Sequence, residues 1–236
     1  MKVLIGVGTC NKFSYCEKQV FDNIFSQTYP ADVLIVDNSI KQNYSTTLKI
    51  NYPLAKVIHL KRPGFFRDAV GQVRKYIMDY AVANEYDYLF FVDADFILKP
   101  NDLEKLISHK KDFVTGVIGY LHDRFNRTTV YIKHPDPQRI GKLPGQPALF
   151  PLSYFEMDEE PEFMEIISCG LSCCLISTRV LIGMNFYISH REKAFLEDRV
   201  FCRDLTQKGI KLYLDKRVRP IHLHVMMEER NFRRIS

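Results

Sequence analysis

The run Leu89-Phe90-Phe91-Val92 is apolar without interruption and stops abruptly at Asp93-Ala94-Asp95. Lys2–Val7, with its VLIGV centre, and Val33–Val36 have the same character, each giving way to a short polar stretch. All-apolar segments of this length are strands covered on both faces, as happens when helices pack on either side of a parallel sheet. Lys56–Leu60 supplies a further strand. Between these runs the apolar positions recur at helical spacing. Val20, Phe21, Ile24 and Phe25 precede a Tyr29-Pro30 stop, and Val70, Val73, Ile77, Tyr80 and Ala81 stripe a helix from Arg67 to about Asn84. Ser14 with Glu17, and Asn101 with Glu104 after Pro100, read as helix-capping signals.

Beyond Val114 the pattern changes. Tyr131–Pro151 carries five prolines and two glycines, and Glu156–Glu165 is acidic, so this region reads as a long loop or hairpin insertion. Ser168–Ser177, SCGLSCCLIS, reads as a turn and a strand. A helix opens at Phe195-Leu196-Glu197-Asp198, buries Phe201, Cys202 and Leu205, and closes at Gly209. A short strand at Lys211–Leu214 and an extended segment at Val218–Val225 follow. The whole is α/β with a mainly parallel central sheet flanked by helices, its first half of Rossmann type.

The 236 residues are 46% hydrophobic, enough to bury a core as one domain. A net charge of +5, with basic residues spread among acidic ones, argues against a dedicated nucleic-acid binder. No Gly-x-Gly-x-x-Gly or Walker lysine loop is present, which argues against dehydrogenases and P-loop NTPases. No apolar run approaches the roughly 18 residues of a membrane helix, and no leader pattern is seen. Cys10, Cys16, Cys169, Cys173, Cys174 and Cys202 show no paired CxxC spacing, so they read as small buried residues in a reducing compartment. A cytoplasmic protein is expected, in which the sequons at Asn43 and Asn126 stay unmodified.

Residues two apart on an extended chain project to one side, so Asp93 and Asp95 reach the same target beyond the carboxyl end of their strand. That edge is where open α/β sheets bind ligands. Two carboxylates without a nearby cysteine suit magnesium or manganese, which take phosphate oxygens as further ligands. The plain structural alternative is that Asp93 caps a turn and Asp95 is solvated. The loop Gly8-Thr9-Cys10-Asn11 leaves backbone and small side chains open to a ligand. Asp37, in Asp37-Asn38-Ser39, is either an ordinary turn residue or a partner for a nucleobase or ribose. The Lys61-Arg62-Pro63-Gly64 turn can face phosphates, and Arg74 is a solvated helix charge or a partner for ligand or the acidic edge. His222 and His224 share one face of an extended segment, where a further cation ligand is wanted.

In this order and spacing, the pieces resemble glycosyltransferase family 2, which is inverting and has the GT-A fold. The resemblance runs from Val3 to about His224. It rests on Thr9-Cys10-Asn11-Lys12, Ser26-Gln27-Thr28-Tyr29-Pro30, the Asp37 of Val-Asp-Asn-Ser, and Gly71 to Arg74 leading into Val92-Asp93-Ala94-Asp95. Downstream it takes in Glu197-Asp198 with Cys202, Leu205 and Gly209, and then His222. It implies one GT-A domain over residues 1–236: a nucleotide-sugar half at 1–115, a small acceptor-side subdomain at 116–225, and a tail at 226–236. Asp37 would hold the base or ribose, with Thr9, Asn11, Arg74, Asp93 and Ala94 in the same nucleotide pocket. Asp95, supported by Asp93 and His222, would hold Mn2+ or Mg2+. Asp198 would be the catalytic base, with Glu197 the alternative.

The implied reaction moves one sugar from a nucleotide-diphosphate sugar to a hydroxyl of a glycan, a lipid-linked group or a protein. Tryptophan, the Gln-Arg-Arg-Trp motif of processive synthases and membrane helices are all missing, which favours single addition. Two other readings remain. A nucleotidyltransferase of similar fold would need a stronger basic loop than Lys61-Arg62, and a non-catalytic sugar-nucleotide-binding protein would have no use for Glu197-Asp198. Donor sugar, nucleobase, acceptor and oligomeric state stay open. Tyr120–Ile167 is expected to decide the acceptor, and Glu228–Ser236 to be a solvated tail.

Overall fold

The computed structural model describes residues 1–63, 66–119, 127–136, 138, 146–186 and 197–223, with residues 66 and 67 described by backbone alone. Strands β1 (Val3–Thr9), β2 (Asp32–Asp37), β3 (Lys56–His59) and β4 (Tyr88–Asp93) are all parallel and lie side by side in the order β3-β2-β1-β4. Helices α1 (Glu17–Phe25) and α2 (Asn43–Asn51) cover one face, where Val20, Phe21, Ile24 and Leu48 pack on Val3, Ile5 and Val7. Helix α3 (Phe66–Ala83) covers the other, where Val73, Ile77 and Ala81 meet Leu4, Leu89 and Phe91. The chain thus winds outward from β1 to β3 along one face and returns to β4 along the other. The reversal falls between β1 and β4, and a crevice at their carboxyl ends follows from it.

Helix α3 lies close to the sheet because β1 offers it little side chain. A Cβ on Gly6 would sit 2.3 Å from Ile77 Cγ2 and 3.1 Å from Leu89 Cδ1. Gly6→Ala is expected to lower stability by about 1–3 kcal/mol, the usual range for overpacking a core. A thermal melt checks this.

Past β4 the strand β5 (Phe96–Ile97) and helix α4 (Asp102–Ser108) lead to β6 (Phe113–Thr115). Strands β7 (Arg127–Lys133) and β8 (Leu149–Ser153) form an antiparallel ribbon, followed by α5 (Tyr154–Glu159), β9 (Phe163–Ile166) and β10 (Cys173–Ser177). Helix α6 (Glu197–Gln207), β11 (Leu212–Asp215) and β12 (Ile221–His222) complete the described chain. The main sheet has eight strands in the order β3-β2-β1-β4-β10-β6-β11-β9, with β10 and β9 running against their neighbours. Helix α6 lies on the same face as α3: Phe186 stacks on Phe201 with ring centroids 4.6 Å apart and meets Phe91 edge-on at 6.1 Å. Gly71 admits that arrangement, since a Cβ there would come within 3.1 Å of the Phe186 carbonyl oxygen.

Several expectations are corrected. No capping box forms at Ser14 and Glu17: residues Asn11–Phe13 make a short 3-10 turn, and α1 begins at Glu17, whose buried carboxylate accepts from Asn51 Nδ2 at 3.0 Å. Asn101 makes no side-chain cap on α4, where Asp102 Oδ2 accepts from the Lys99 amide instead. The acidic stretch read as loop holds α5 and β9. Its helix carries the reciprocal capping box of Ser153 and Glu156. The six cysteines are buried free thiols. His224 and the 226–236 tail lie outside the described residues.

Candidate active site

Pairing register sets the floor of the crevice. Gly8 of β1 pairs with Asp93 of β4, and antiparallel β10 sets Cys173 against Val92. Ser172, one residue before β10, is thereby laid against Asp93: its carbonyl accepts from the Asp93 amide at 3.2 Å, and its Oγ donates to Asp93 Oδ2 at 2.5 Å. Above this edge is a cavity of about 430 Å³ lined by Thr9, Arg74, Asp93, Ala94, Asp95 and His222, together with Asn38, Arg62, Thr129 and Ser172.

Asp95 and His222 are 127 residues apart in sequence and meet through a two-strand ribbon. Strand β12 pairs antiparallel with β5, placing His222 opposite Phe96, and the Leu223 amide donates to the Asp95 carbonyl at 2.7 Å. The His222 ring stacks on Phe96 at 4.1 Å, and its Nε2 lies 3.0 Å from Asp95 Oδ2. Asp93 turns the other way. Its Oδ1 accepts from Arg74 Nη2 at 3.3 Å, while Ser172 holds Oδ2.

Arg74 is not a solvated helix charge: its buried guanidinium also donates from Nη1 to Glu197 Oε1 at 2.7 Å. Burial alone would lower its pKa, but the Asp93 and Glu197 carboxylates more than reverse that effect. Glu197 is buried and is the first residue of α6. Asp198 follows it, with Oδ1 accepting from the Arg199 amide at 2.7 Å. Burial, then the neighbouring Glu197 charge, pushes the Asp198 carboxyl up to about 7, against the opposing pull of Arg74. Neither Glu197 nor Asp198 is among the residues lining the cavity.

Asp37 is wholly buried at the end of β2, with Oδ1 accepting from the Ser39 amide at 2.8 Å and from Ser39 Oγ at 2.5 Å. Its Oδ2 lies 3.0 Å from His59 Nδ1. Asn38, the next residue, lines the cavity in its place. Asn11 sits beside this corner, its amide donating to Ser39 Oγ at 2.7 Å. Thr9 Oγ1 is buried beside the Tyr44 hydroxyl. Ser172, Asn38 and Thr129 are wall residues that the sequence did not single out. Ser172 gave no signal beyond its place in a small-residue segment.

Carboxylates suit a hard divalent cation, and an imidazole beside them is a ligand for first-row transition ions, the series to which manganese belongs. Among the described residues, no three His, Cys, Asp or Glu side chains converge as a ready-made cation centre. The Asp95–His222 pair offers two ligands at the cavity wall. That fits a cation of the magnesium type, which binds through one or two protein side chains and takes its other ligands from water and phosphate.

The family model for glycosyl transferase family 2 matches residues 7–181. The chain belongs to glycosyl transferase family 2. The family is one of glycosyltransferases. No curated protein sequence matches the chain. Among solved structures, it is similar to GalNAc-T7 crystallised with UDP, GalNAc and Mn2+, at a TM-score of 0.63 and 14% identity over 95% of this chain and 44% of that one. It is also similar to S. aureus TarS, at a TM-score of 0.56 and 16% identity over 92% of this chain and 35% of that one. TarS residues 1–349 give 0.52 and 17% over 92% and 58%. The chain therefore spans about a third to three fifths of these proteins. At such identities the similarity is one of fold, and the fold is GT-A. Among the described residues, no helix of this family 2 chain is long and apolar enough to cross a membrane.

Proposed function

We propose that this chain transfers a single sugar from a nucleoside-diphosphate sugar to an acceptor hydroxyl, with inversion at the anomeric carbon. The observation that carries the reading is the meeting of Asp95 and His222 at the crevice between β1 and β4, beside the Asp93-Ala94-Asp95 turn. Asp95 and His222 would hold Mn2+ or Mg2+, with Asp93 alongside, making this a DxD site. When bound, the cation neutralises the charge that grows on the departing diphosphate. The GalNAc-T7 structure contains UDP and Mn2+, which makes UDP the first nucleotide to test.

The nucleoside end of the crevice would be the wall made by Thr9 and Asn38, with Asn11 bonded to Ser39 behind it and Asp37 bracing the loop through Ser39 and His59. Asp198 is the base. It takes the acceptor proton as the oxygen attacks the anomeric carbon from the face opposite the diphosphate, and the bond from that carbon to the diphosphate oxygen breaks. Glu197 is committed to Arg74 and is poorly placed for that role, whereas a carboxyl with a pKa of about 7 is matched to proton transfer near neutral pH. Residues 1–115 form the donor half and 116–225 the acceptor half. Buried free thiols fit a reducing, cytoplasmic setting.

The experiment is UDP release from a panel of UDP-hexoses and UDP-N-acetylhexosamines with Mn2+, followed by acceptor screening. Pyrophosphate release would point instead to nucleotidyl transfer. A pH profile follows from the base. Protonated Asp198 cannot accept a proton, so kcat/KM should rise through a midpoint near pH 7 and level off above it, falling about tenfold per unit below. A flat profile between pH 5 and 8 removes Asp198 from the role.

A further inference from the structure

We infer that Arg74 is a positioning residue, which ties the cation-side carboxylate Asp93 to the start of the base-bearing helix α6 and does not act through the nucleotide. This rests on the transfer reading above. The observation is a continuous chain of polar contacts across the two halves of the fold. Ser172 Oγ donates to Asp93 Oδ2 at 2.5 Å, Arg74 Nη2 to Asp93 Oδ1 at 3.3 Å, and Arg74 Nη1 to Glu197 Oε1 at 2.7 Å. Its four members come from β10's leading turn, β4, α3 and α6, and the Arg74–Glu197 pair is 123 residues apart in sequence.

The chemistry of the link explains why arginine stands here. A guanidinium is a rigid planar fork whose separate nitrogens hold two carboxylates at a set spacing, which a single ammonium does not do. The Arg74 and Glu197 side chains are 9% and 10% exposed, so the bond between them is shielded from water and salt. Asp93 is also held by β10, so the fork has a fixed end. Glu197 is then pinned at the first residue of α6, and Asp198, the next along, takes its direction from that pinned turn. A base works only within a narrow range of placement, and displacement by about 1 Å can cost on the order of 100-fold in rate.

A nucleotide contact and a positioning role make opposite predictions for Arg74. The test compares wild type with R74Q, R74K, E197Q and the R74Q/E197Q double variant, each first checked for folding by thermal melt. Binding of UDP with Mn2+ is read by calorimetry, and kcat and KM by UDP release from the best UDP-sugar. Positioning predicts that R74Q and E197Q each lower kcat about 100-fold while UDP affinity stays within about threefold. The double variant should be no worse than either single one, because both break the same link. R74K, which keeps the charge but loses the fork, should fall between R74Q and wild type. A tenfold or greater loss of UDP affinity in R74Q with kcat retained overturns the inference, as does an E197Q enzyme with normal kcat or a double variant whose losses multiply. If R74Q does not fold, E197Q decides, since a positioning link requires it to lose kcat at unchanged UDP affinity. A wild-type chain that neither binds UDP nor releases it from any donor contradicts the transfer reading itself, a result distinct from all of these.

Discussion

Asp198→Asn should reduce turnover on the order of 10³-fold while UDP affinity and thermal stability hold. General bases contribute about 10²–10⁴ in rate, and a carboxamide of the same shape removes only the ability to take a proton. Donor binding should survive because Asp198 is not among the cavity-lining residues and makes no bond to Asp93, Asp95 or His222 that the substitution would break. Stability should not suffer. Asp198 is a carboxyl pushed up to about 7, chiefly by burial, so its charged form is disfavoured in the fold and an uncharged amide relieves that cost at neutral pH. Single-turnover kinetics on the variant check the rate, and calorimetry checks the binding. Near-normal transfer by Asp198→Asn, alongside a dead Asp95→Ala, sinks the base assignment and leaves the cation site intact.

Asp95→Ala should have a comparable or larger effect by a different route, losing both the cation-dependent part of UDP binding and turnover by at least 10³-fold. The carboxylate is the full negative charge in the Asp95–His222 pair, and its removal leaves His222 Nε2 without that partner. Removing a single group that stabilises charge in a transition state typically costs about 10²–10³ in kcat, and loss of the cation site adds the donor-binding penalty. His222→Ala should be milder, about 10–100-fold, because Asp95 remains and the ring's stacking on Phe96 only shapes the turn. A titration of Mn2+ against UDP affinity separates the two variants: His222→Ala should shift to higher metal, while Asp95→Ala should lose the dependence. Equal, metal-independent UDP binding in wild type and Asp95→Ala contradicts the reading.

Much of the fold could be read from the sequence because β1, β2 and β4 are buried on both faces and leave unbroken apolar runs. Helix α2 left no such mark. Asn43-Tyr44-Ser45-Thr46-Thr47-Leu48-Lys49-Ile50-Asn51 is rich in poor helix formers, and only Tyr44, Ser45 and Leu48 turn inward. The Ser-x-x-Glu pattern misled in both directions. Ser14 and Glu17 match it, but the glutamate is drawn into the core by Asn51, whereas the pair that does cap, Ser153 and Glu156, lies in a stretch whose acidity suggested loop.

The site shows the same division. Asp93 and Asp95 announce themselves as acids at the end of an apolar strand, and His222 stands out on its extended segment. Their division of labour does not: two residues apart, on either side of Ala94, Asp95 faces His222 and Asp93 faces Arg74. Arg74 sits just off an apolar stripe, and what buries it is a partner contributed by a helix far along the chain, a contact that helical periodicity cannot register. Ser172 is a small residue among cysteines, significant only because β10 runs antiparallel into the gap beside β4.

On the proposed reading, the crevice between β1 and β4 holds a nucleoside diphosphate through a divalent cation at Asp95. The most direct measurement is the thermal stability of the wild-type chain and of Asp95→Ala with UDP, GDP, TDP or CMP, each with Mn2+ and again with EDTA. Ligand at ~100 times its dissociation constant adds roughly 2.7 kcal/mol to the folded state. One diphosphate should raise the wild-type melting temperature with Mn2+, EDTA should abolish the rise, and Asp95→Ala should show none. No rise with any of the four nucleotides, or an equal rise in Asp95→Ala, contradicts that reading.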